Sequence, residues 1–130
     1  MIRCYFDSSA IVKLSQLESE SQALIDFLDR HEIEASTSIV SEVEVMRTLR
    51  RSGLDDDQPV RSFYLLQLDE DVRREAVRLG SPLLRSIDAI HIATALAIAD
   101  DQLAFVTYDD RQAAAARDCG LQVVQPGREP

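Results

Sequence analysis

Apolar and polar positions change rhythm repeatedly along this chain. "MIRCYF" is a short β-rich run that stops at Asp7, and "SSAIVKLSQLESES" follows with hydroxyl residues suited to a cap and apolar positions at helical spacing. A strand entering a helix is predicted there. A second helix is predicted over about 20–30, with Ala23, Leu24, Phe27 and Leu28 on one face, before a short strand near residues 34–37. The next helix starts around Ser38; in "SIVSEVEVMRTLRR" the positions Ile39, Val43, Met46 and Arg50 follow one face, with Val40 and Glu44 displaced beside it. "SGLDDDQP" breaks the pattern with Gly, Pro and three acids, and is predicted as a loop.

"SFYLLQL" is short, aromatic and aliphatic between polar segments, which predicts a buried strand. Helices are predicted at about 71–78 and 87–99. "LAFVT" is then a strand, "DRQAAAARDCG" a helix closed by Gly120, and "LQVVQP" a last strand stopped by Pro126. Strands alternating with helices predict a parallel sheet sandwiched between helices. With no internal repeat or linker, one domain over 1–126 is expected, and "GREP" (127–130) reads as a loose tail.

The length of 130 residues supports a single core, and 45% hydrophobic with 28% charged residues matches a globular chain. No apolar run is long enough to span a bilayer and "MIRCYFDSS" does not read as a signal peptide, so a cytoplasmic location is expected. Cys4 and Cys119 lack zinc spacing and disulfide density and are read as reduced, structural thiols. The net charge of −9 argues against a broad footprint for nucleic acid, so any such contact must be local or metal-assisted. An acidic surface also suits a basic protein partner. Of the 14 basic residues only Lys13 is not an arginine, a bias that favours bidentate phosphate or carboxylate pairing and equally follows from a G- and C-rich genome.

Ligands of open parallel α/β sheets gather at the carboxyl ends of the strands, where strand order reverses. Asp7 follows "RCYF" and Asp109 follows "AFVT" after one more residue, with the hydroxyl residues Ser9 and Thr107 two positions from them. If their strands are neighbours across the reversal, both carboxylates face one crevice. On the helix of "SIDAIHIATAL", Ile87, Ile90 and Ile98 form one apolar sector, and Asp88, Ile92 and Ala95 an adjacent stripe, and both are expected to be buried. A carboxylate in such company is costly to bury, and a helix dipole returns only about 0.3–1 kcal/mol. A divalent cation offsets more; the competing reading is an N-terminal dipole residue or a partner of Arg85. Glu42 and Glu44 lie roughly 160° apart on a helix, so only one of them can face the crevice. Glu44 shares its side with Arg47 and is favoured, with solvated helix charge as the alternative for both.

Carboxylates without a His or Cys cluster make an oxygen-only site, which selects Mg²⁺ or Mn²⁺ over zinc and points to phosphoryl transfer. His91, three residues after Asp88, is a tempting general base, but a lone histidine on so apolar a helix is more often a packed, hydrogen-bonded core residue.

"YFDSSAIVKL", "SEVEVMRTLRR", "LRSIDAIHIATAL" and "FVTYDDR" occur in the order and spacing of PIN-domain proteins, and the chain resembles a VapC-type toxin ribonuclease of a type II toxin–antitoxin system. The resemblance covers essentially the whole chain, and "DAIHIATAL" followed by "TYD" is its most specific part. It implies a PIN-like three-layer α/β/α sandwich with a central parallel sheet of about five strands. It further implies a Mg²⁺- or Mn²⁺-dependent endoribonuclease, usually a homodimer, and a VapB-type antitoxin whose tail places an arginine among the acids. By motif, the catalytic and metal-binding acids are Asp7, Glu44, Asp88 and Asp109, and Ser9 and Thr107 are supporting hydroxyls. The basic residue three after the family's Glu is Arg47, which supports Glu44 over Glu42; Asp110 beside Asp109 is a departure, and strand-end register favours Asp109. The faces around 11–17 and 39–49 are candidates for the dimer interface. Arg47, Arg50, Arg51 and Arg111 are candidate phosphate contacts, with salt bridges as the alternative. Two other functions compete: a non-catalytic PIN-like RNA-binding or regulatory module, and a small-molecule phosphohydrolase on a similar sheet.

Overall fold

In the computed structural model, which describes residues 1–128, "IRCYF" forms β1 (Ile2–Phe6) at the centre of an all-parallel sheet. The strand order is β3 (Tyr64–Leu66), β2 (Ile33–Ser38), β1, β4 (Leu103–Val106), β5 (Gln122–Val124). Connecting them are α1 (Ser8–Ser15), α2 (Ser21–Arg30), α3 (Ile39–Arg51), α4 (Gln58–Arg61), α5 (Glu70–Arg78), α6 (Ser86–Ala97) and α7 (Asp110–Asp118). Strand order reverses between β1 and β4, whose ends are in register at Phe6 and Val106. Asp7 and Thr107 therefore leave the sheet side by side, and the Asp7 N–H donates to the Val106 carbonyl at 3.1 Å.

Side chains of the central strands alternate between two cores, which is why those strands read as continuous apolar runs. Cys4, Phe6, Ala104 and Val106 face one side, packed with Ala10, Ile11, Leu24, Val45 and Leu49 from α1–α3. Tyr5, Leu103 and Phe105 face the other, against Ile92 and Ala95 of α6 and Ala116 of α7. The result is a three-layer α/β/α sandwich. Each fully buried Leu, Ile or Phe contributes about 1.5–3 kcal/mol, against about 1 kcal/mol for a helix cap, so the two cores hold the layers together. Caps instead set where the helices begin: Asp7, Ser38, Asp69 and Asp109 each accept a backbone N–H of the helix that follows.

Several expectations are corrected. "SFYLLQL" is extended only at Tyr64–Leu66, and as an edge strand with a single neighbour it leaves Tyr64 68% exposed rather than buried. In α3 the buried face is Ser41, Val45 and Leu49; Val43, predicted on the main face, is 59% exposed. The reason is Ser41, polar in the pattern yet hydrogen-bonded to Thr37 Oγ1 at 2.6 Å, which lets a small side chain take the sheet-facing position. The loop after α3 ends sooner than predicted, because Gln58 and Pro59 already belong to α4, where proline at the first turn forfeits no hydrogen bond. On α6, Asp88, Ile92 and Ala95 are buried, whereas Ile87, Ile90 and, at the helix C-cap, Ile98 are only half-buried.

Of the predicted tail, Arg128 returns to the body, pairing with Glu20 at 3.2 Å and Asp110 at 2.7 Å beside the Tyr108 ring. Its last two positions lie outside the described residues. No helix among the described residues is long and apolar enough to cross a membrane.

Candidate active site

The turn from β1 into α1 buries Asp7 to 3% exposure and uses its carboxylate as the helix cap. Oδ1 accepts from the Ala10 N–H at 3.1 Å and the Ser9 hydroxyl at 2.6 Å, and Oδ2 accepts from the Thr107 hydroxyl. Those hydroxyls are themselves oriented: Ser9 Oγ accepts from the Tyr108 N–H at 2.9 Å, and Thr107 Oγ1 from the Asp109 N–H at 3.1 Å. Loss of water pushes the Asp7 pKa up, because burial outweighs the hydrogen bonds from Ser9, Thr107 and Ala10 that favour the carboxylate.

Asp109 repeats the arrangement at the end of β4. Its Oδ1 accepts from the Arg111 and Gln112 N–H groups at 2.9 and 3.2 Å, capping α7. Its Oδ2 is left for Arg85, whose Nη2 donates at 3.2 Å. Asp110 points away, with its side chain 88% exposed and paired with Arg128. The inward carboxylate of the "DD" pair is thus Asp109.

Asp88 occupies the first turn of α6 and is buried; Arg85 Nε donates to its Oδ2 at 2.9 Å, with Nη2 3.4 Å from Oδ1. The ion pair considered from the sequence is therefore present, and the same guanidinium reaches Asp109. Glu44, on α3, accepts on Oε1 from the Ser8 hydroxyl at 2.5 Å and from His91 Nε2 at 2.9 Å. Burial opposes its ionisation, but the hydrogen bonds from His91 and Ser8, with the nearby charge of Arg85, hold its carboxyl below the ordinary range. Glu42 is exposed.

His91 is buried and hydrogen-bonded, as a core histidine would be, yet its partner is one of the four acids. Its other nitrogen, Nδ1, lies 2.7 Å from the Tyr5 hydroxyl, which accepts from the Ser38 N–H at 3.1 Å. One assignment satisfies every group: the Tyr5 O–H donates to Nδ1, leaving Nε2–H to donate to Glu44. Burial raises the Tyr5 pKa far above its ordinary value, so the hydroxyl stays a donor. Ser8, Tyr5 and the second contact of Arg85 were missed in the sequence. The one available signal was Tyr5 itself, since a tyrosine in a strand buried on both faces needs a polar partner.

Hydrogen bonds link three of the acids, Asp7 to Thr107 to Asp109 and Asp109 through Arg85 to Asp88, while Glu44 bonds separately to His91 on the helix that carries Asp88. The donor set is all oxygen and anionic, the chemistry a hard divalent cation requires. Among the described residues no three His, Cys, Asp or Glu side chains converge closely enough to hold an ion, and a guanidinium, itself a cation, spans Asp88 and Asp109. Beside Glu44 opens a cleft of about 340 Å³, lined by Ser8, Ser9, Lys13, Thr48, Tyr108 and Arg128 among others. A larger hollow of about 480 Å³ near Leu14, Leu49 and Pro59 touches none of the four acids. Arg47, Arg50 and Arg51 line a separate hollow on α3, where Arg51 donates to the Thr48 hydroxyl at 3.1 Å.

Comparison with known proteins follows the same lines. The PIN domain family matches residues 4–118. Two ribonucleases of Mycobacterium tuberculosis are similar over nearly their whole length: VapC35 is 40% identical, covering 95% of this chain and 97% of that protein. VapC47 is 38% identical, covering 95% and 96%. Among solved structures, a toxin–antitoxin complex from Klebsiella pneumoniae aligns with a TM-score of 0.68 at 20% identity, over 98% of this chain and 99% of that one. Mycobacterium tuberculosis VapC20, a sarcin–ricin loop cleaving toxin, aligns with a TM-score of 0.69 at 15% identity, over 86% and 94%. With its acids at the carboxyl ends of two adjacent parallel strands and relatives that match it end to end, the chain belongs to the PIN-domain family.

Proposed function

We propose that this chain is the toxin of a VapBC-type toxin–antitoxin pair and acts as a Mg²⁺- or Mn²⁺-dependent endoribonuclease. The observation that carries the reading is the hydrogen-bonded chain joining Asp7, Asp109 and Asp88 at the reversal of strand order, with Glu44 bonded through His91 to the helix of Asp88, in a protein 40% identical to a ribonuclease. Asp7, Asp88, Asp109 and Glu44 are the carboxylates from which the ion would draw its protein ligands, roughly one or two of them, with water filling the remaining positions. When bound, it supplies a positively charged centre that acidifies a water and stabilises charge on the phosphodiester. Ser9 and Thr107 fix the direction of Asp7, and Ser8 and His91 that of Glu44. Arg47, on the exposed side of α3, is proposed to contact RNA phosphate, a role that asks only for charge and reach.

The proposed partner is a VapB-type antitoxin, whose basic tail would find a strongly acidic protein with a net charge of −9. Homodimerisation is proposed through faces that leave Leu17 and Val43 exposed, and the site of action is proposed to be the cytoplasm. The test is cleavage of structured RNA by the purified chain with Mg²⁺ or Mn²⁺, abolished by EDTA. Full activity in Asp7→Asn or Asp88→Asn would remove the assignment, and RNA binding without cleavage would favour a regulatory module instead.

A further inference from the structure

Among the four acids Asp88 stands apart in how it is satisfied. Asp7, Asp109 and Glu44 each accept at least two hydrogen bonds from groups other than Arg85, whether backbone N–H, hydroxyl or imidazole. Asp88 is 4% exposed, and among the described residues its only hydrogen-bond donor is the Arg85 guanidinium. Arg85 directly precedes α6, so its side chain folds over the first turn, where Asp88 lies three residues on. From there it also reaches Asp109, joining carboxylates from two separate elements. The Arg85 side chain remains 57% exposed, with open solvent beside it.

We propose that Arg85 is a resident counter-cation of the acidic site: it holds Asp88 and Asp109 together while no divalent ion is bound, and is expelled into solvent when the ion enters. The proposal rests on the metal-dependent reading above. The guanidinium occupies Oδ2 of both aspartates, oxygens that would otherwise be free to serve an ion, and its charge would repel a dication at the same carboxylates. Metal binding is then an exchange, and metal affinity carries the cost of breaking the Arg85 pairs. Neutralising Arg85 should strengthen metal binding and weaken the metal-free fold, a combination that a merely supportive arginine would not produce.

Isothermal titration of the EDTA-stripped chain with MnCl₂, alongside thermal unfolding with and without Mn²⁺, tests this on wild type and Arg85→Gln. Arg85→Gln is expected to bind Mn²⁺ about tenfold more tightly, the two ion pairs no longer having to be broken, to unfold at lower temperature without metal, and to gain more from Mn²⁺ than wild type does. Equal or weaker affinity in Arg85→Gln overturns the proposal and leaves the metal site standing. Absence of Mn²⁺ binding in both chains overturns the metal site itself, and the exchange with it. If Arg85→Gln does not fold, Arg85→Lys carries the comparison: it keeps the charge without spanning both carboxylates, and its affinity should exceed wild type by a smaller factor.

Discussion

The Tyr5 hydroxyl stands 2.7 Å from Nδ1 of His91, across 86 residues of sequence, and through that imidazole it determines which way Glu44 points. Removing the hydroxyl leaves both the Ser38 N–H and His91 Nδ1 buried without their partner. Tyr5→Phe should therefore lower stability by about 1–3 kcal/mol in urea unfolding. RNA cleavage should fall roughly 10–100-fold, as when a group behind a metal ligand is lost. An unchanged cleavage rate would show that Glu44 needs no such anchoring.

Asp7 combines a helix cap with a buried charge, and the two can be separated. Asn keeps a cap oxygen for the Ala10 N–H and removes the charge that burial disfavours. The metal-free Asp7→Asn chain is expected to melt at or above the temperature of wild type while losing cleavage by more than the roughly 100-fold typical of outer-shell losses. Calorimetry on metal-free protein checks the first half; a clearly lower melting temperature would contradict it.

Acid stability should carry the mark of Glu20. A hydrogen bond from Lys13, then those from Ser19 and Arg128, hold its carboxyl down from 4.5 to about 2 despite some desolvation. Because the folded pKa lies below the unfolded one, the stabilisation is complete above about pH 4.5 and disappears as pH falls through about 2. The melting-temperature gap between wild type and Glu20→Gln should accordingly be widest near neutrality and close toward pH 2. A gap independent of pH would assign the effect to packing.

The thiols should separate by element. Cys4 is fully buried in β1 and its pKa is pushed up to about 11 by burial, whereas Cys119 is half-buried at the end of α7. Ellman's reagent on the native chain should register at most Cys119, and both thiols only in denaturant. Rapid reaction of both in the native state would mean that the core around β1 opens readily.

β1 and β4, and with them the positions of Asp7 and Asp109, were legible because a strand buried on both faces leaves a continuous apolar run and because the first polar residues after it, Asp7 and Thr107, mark the carboxyl ends. The rotation of α3 was not. Ser41 counts as polar by composition, and only the Thr37 hydroxyl beside it makes a buried position tolerable. β3 was misjudged for a related reason: apolar character in "SFYLLQL" does not distinguish a central strand from an edge strand. Within the site, Glu44 over Glu42 followed from helical geometry and motif, while the Tyr5–His91–Glu44 line joins three elements that no local spacing connects. Arg85 was visible as a partner for Asp88 at helical spacing. Its reach to Asp109, 24 residues away, belongs to the fold.

The capping duty of Asp7 and Asp109 bears on how such a chain decays under mutation. An aspartate codon becomes an asparagine codon by one base change, and asparagine caps a helix about as well as aspartate does. Inactivation at these two positions thus need not produce a misfolded chain destined for proteolysis. It leaves an intact, inert decoy, with its surface unchanged for whatever recognises it.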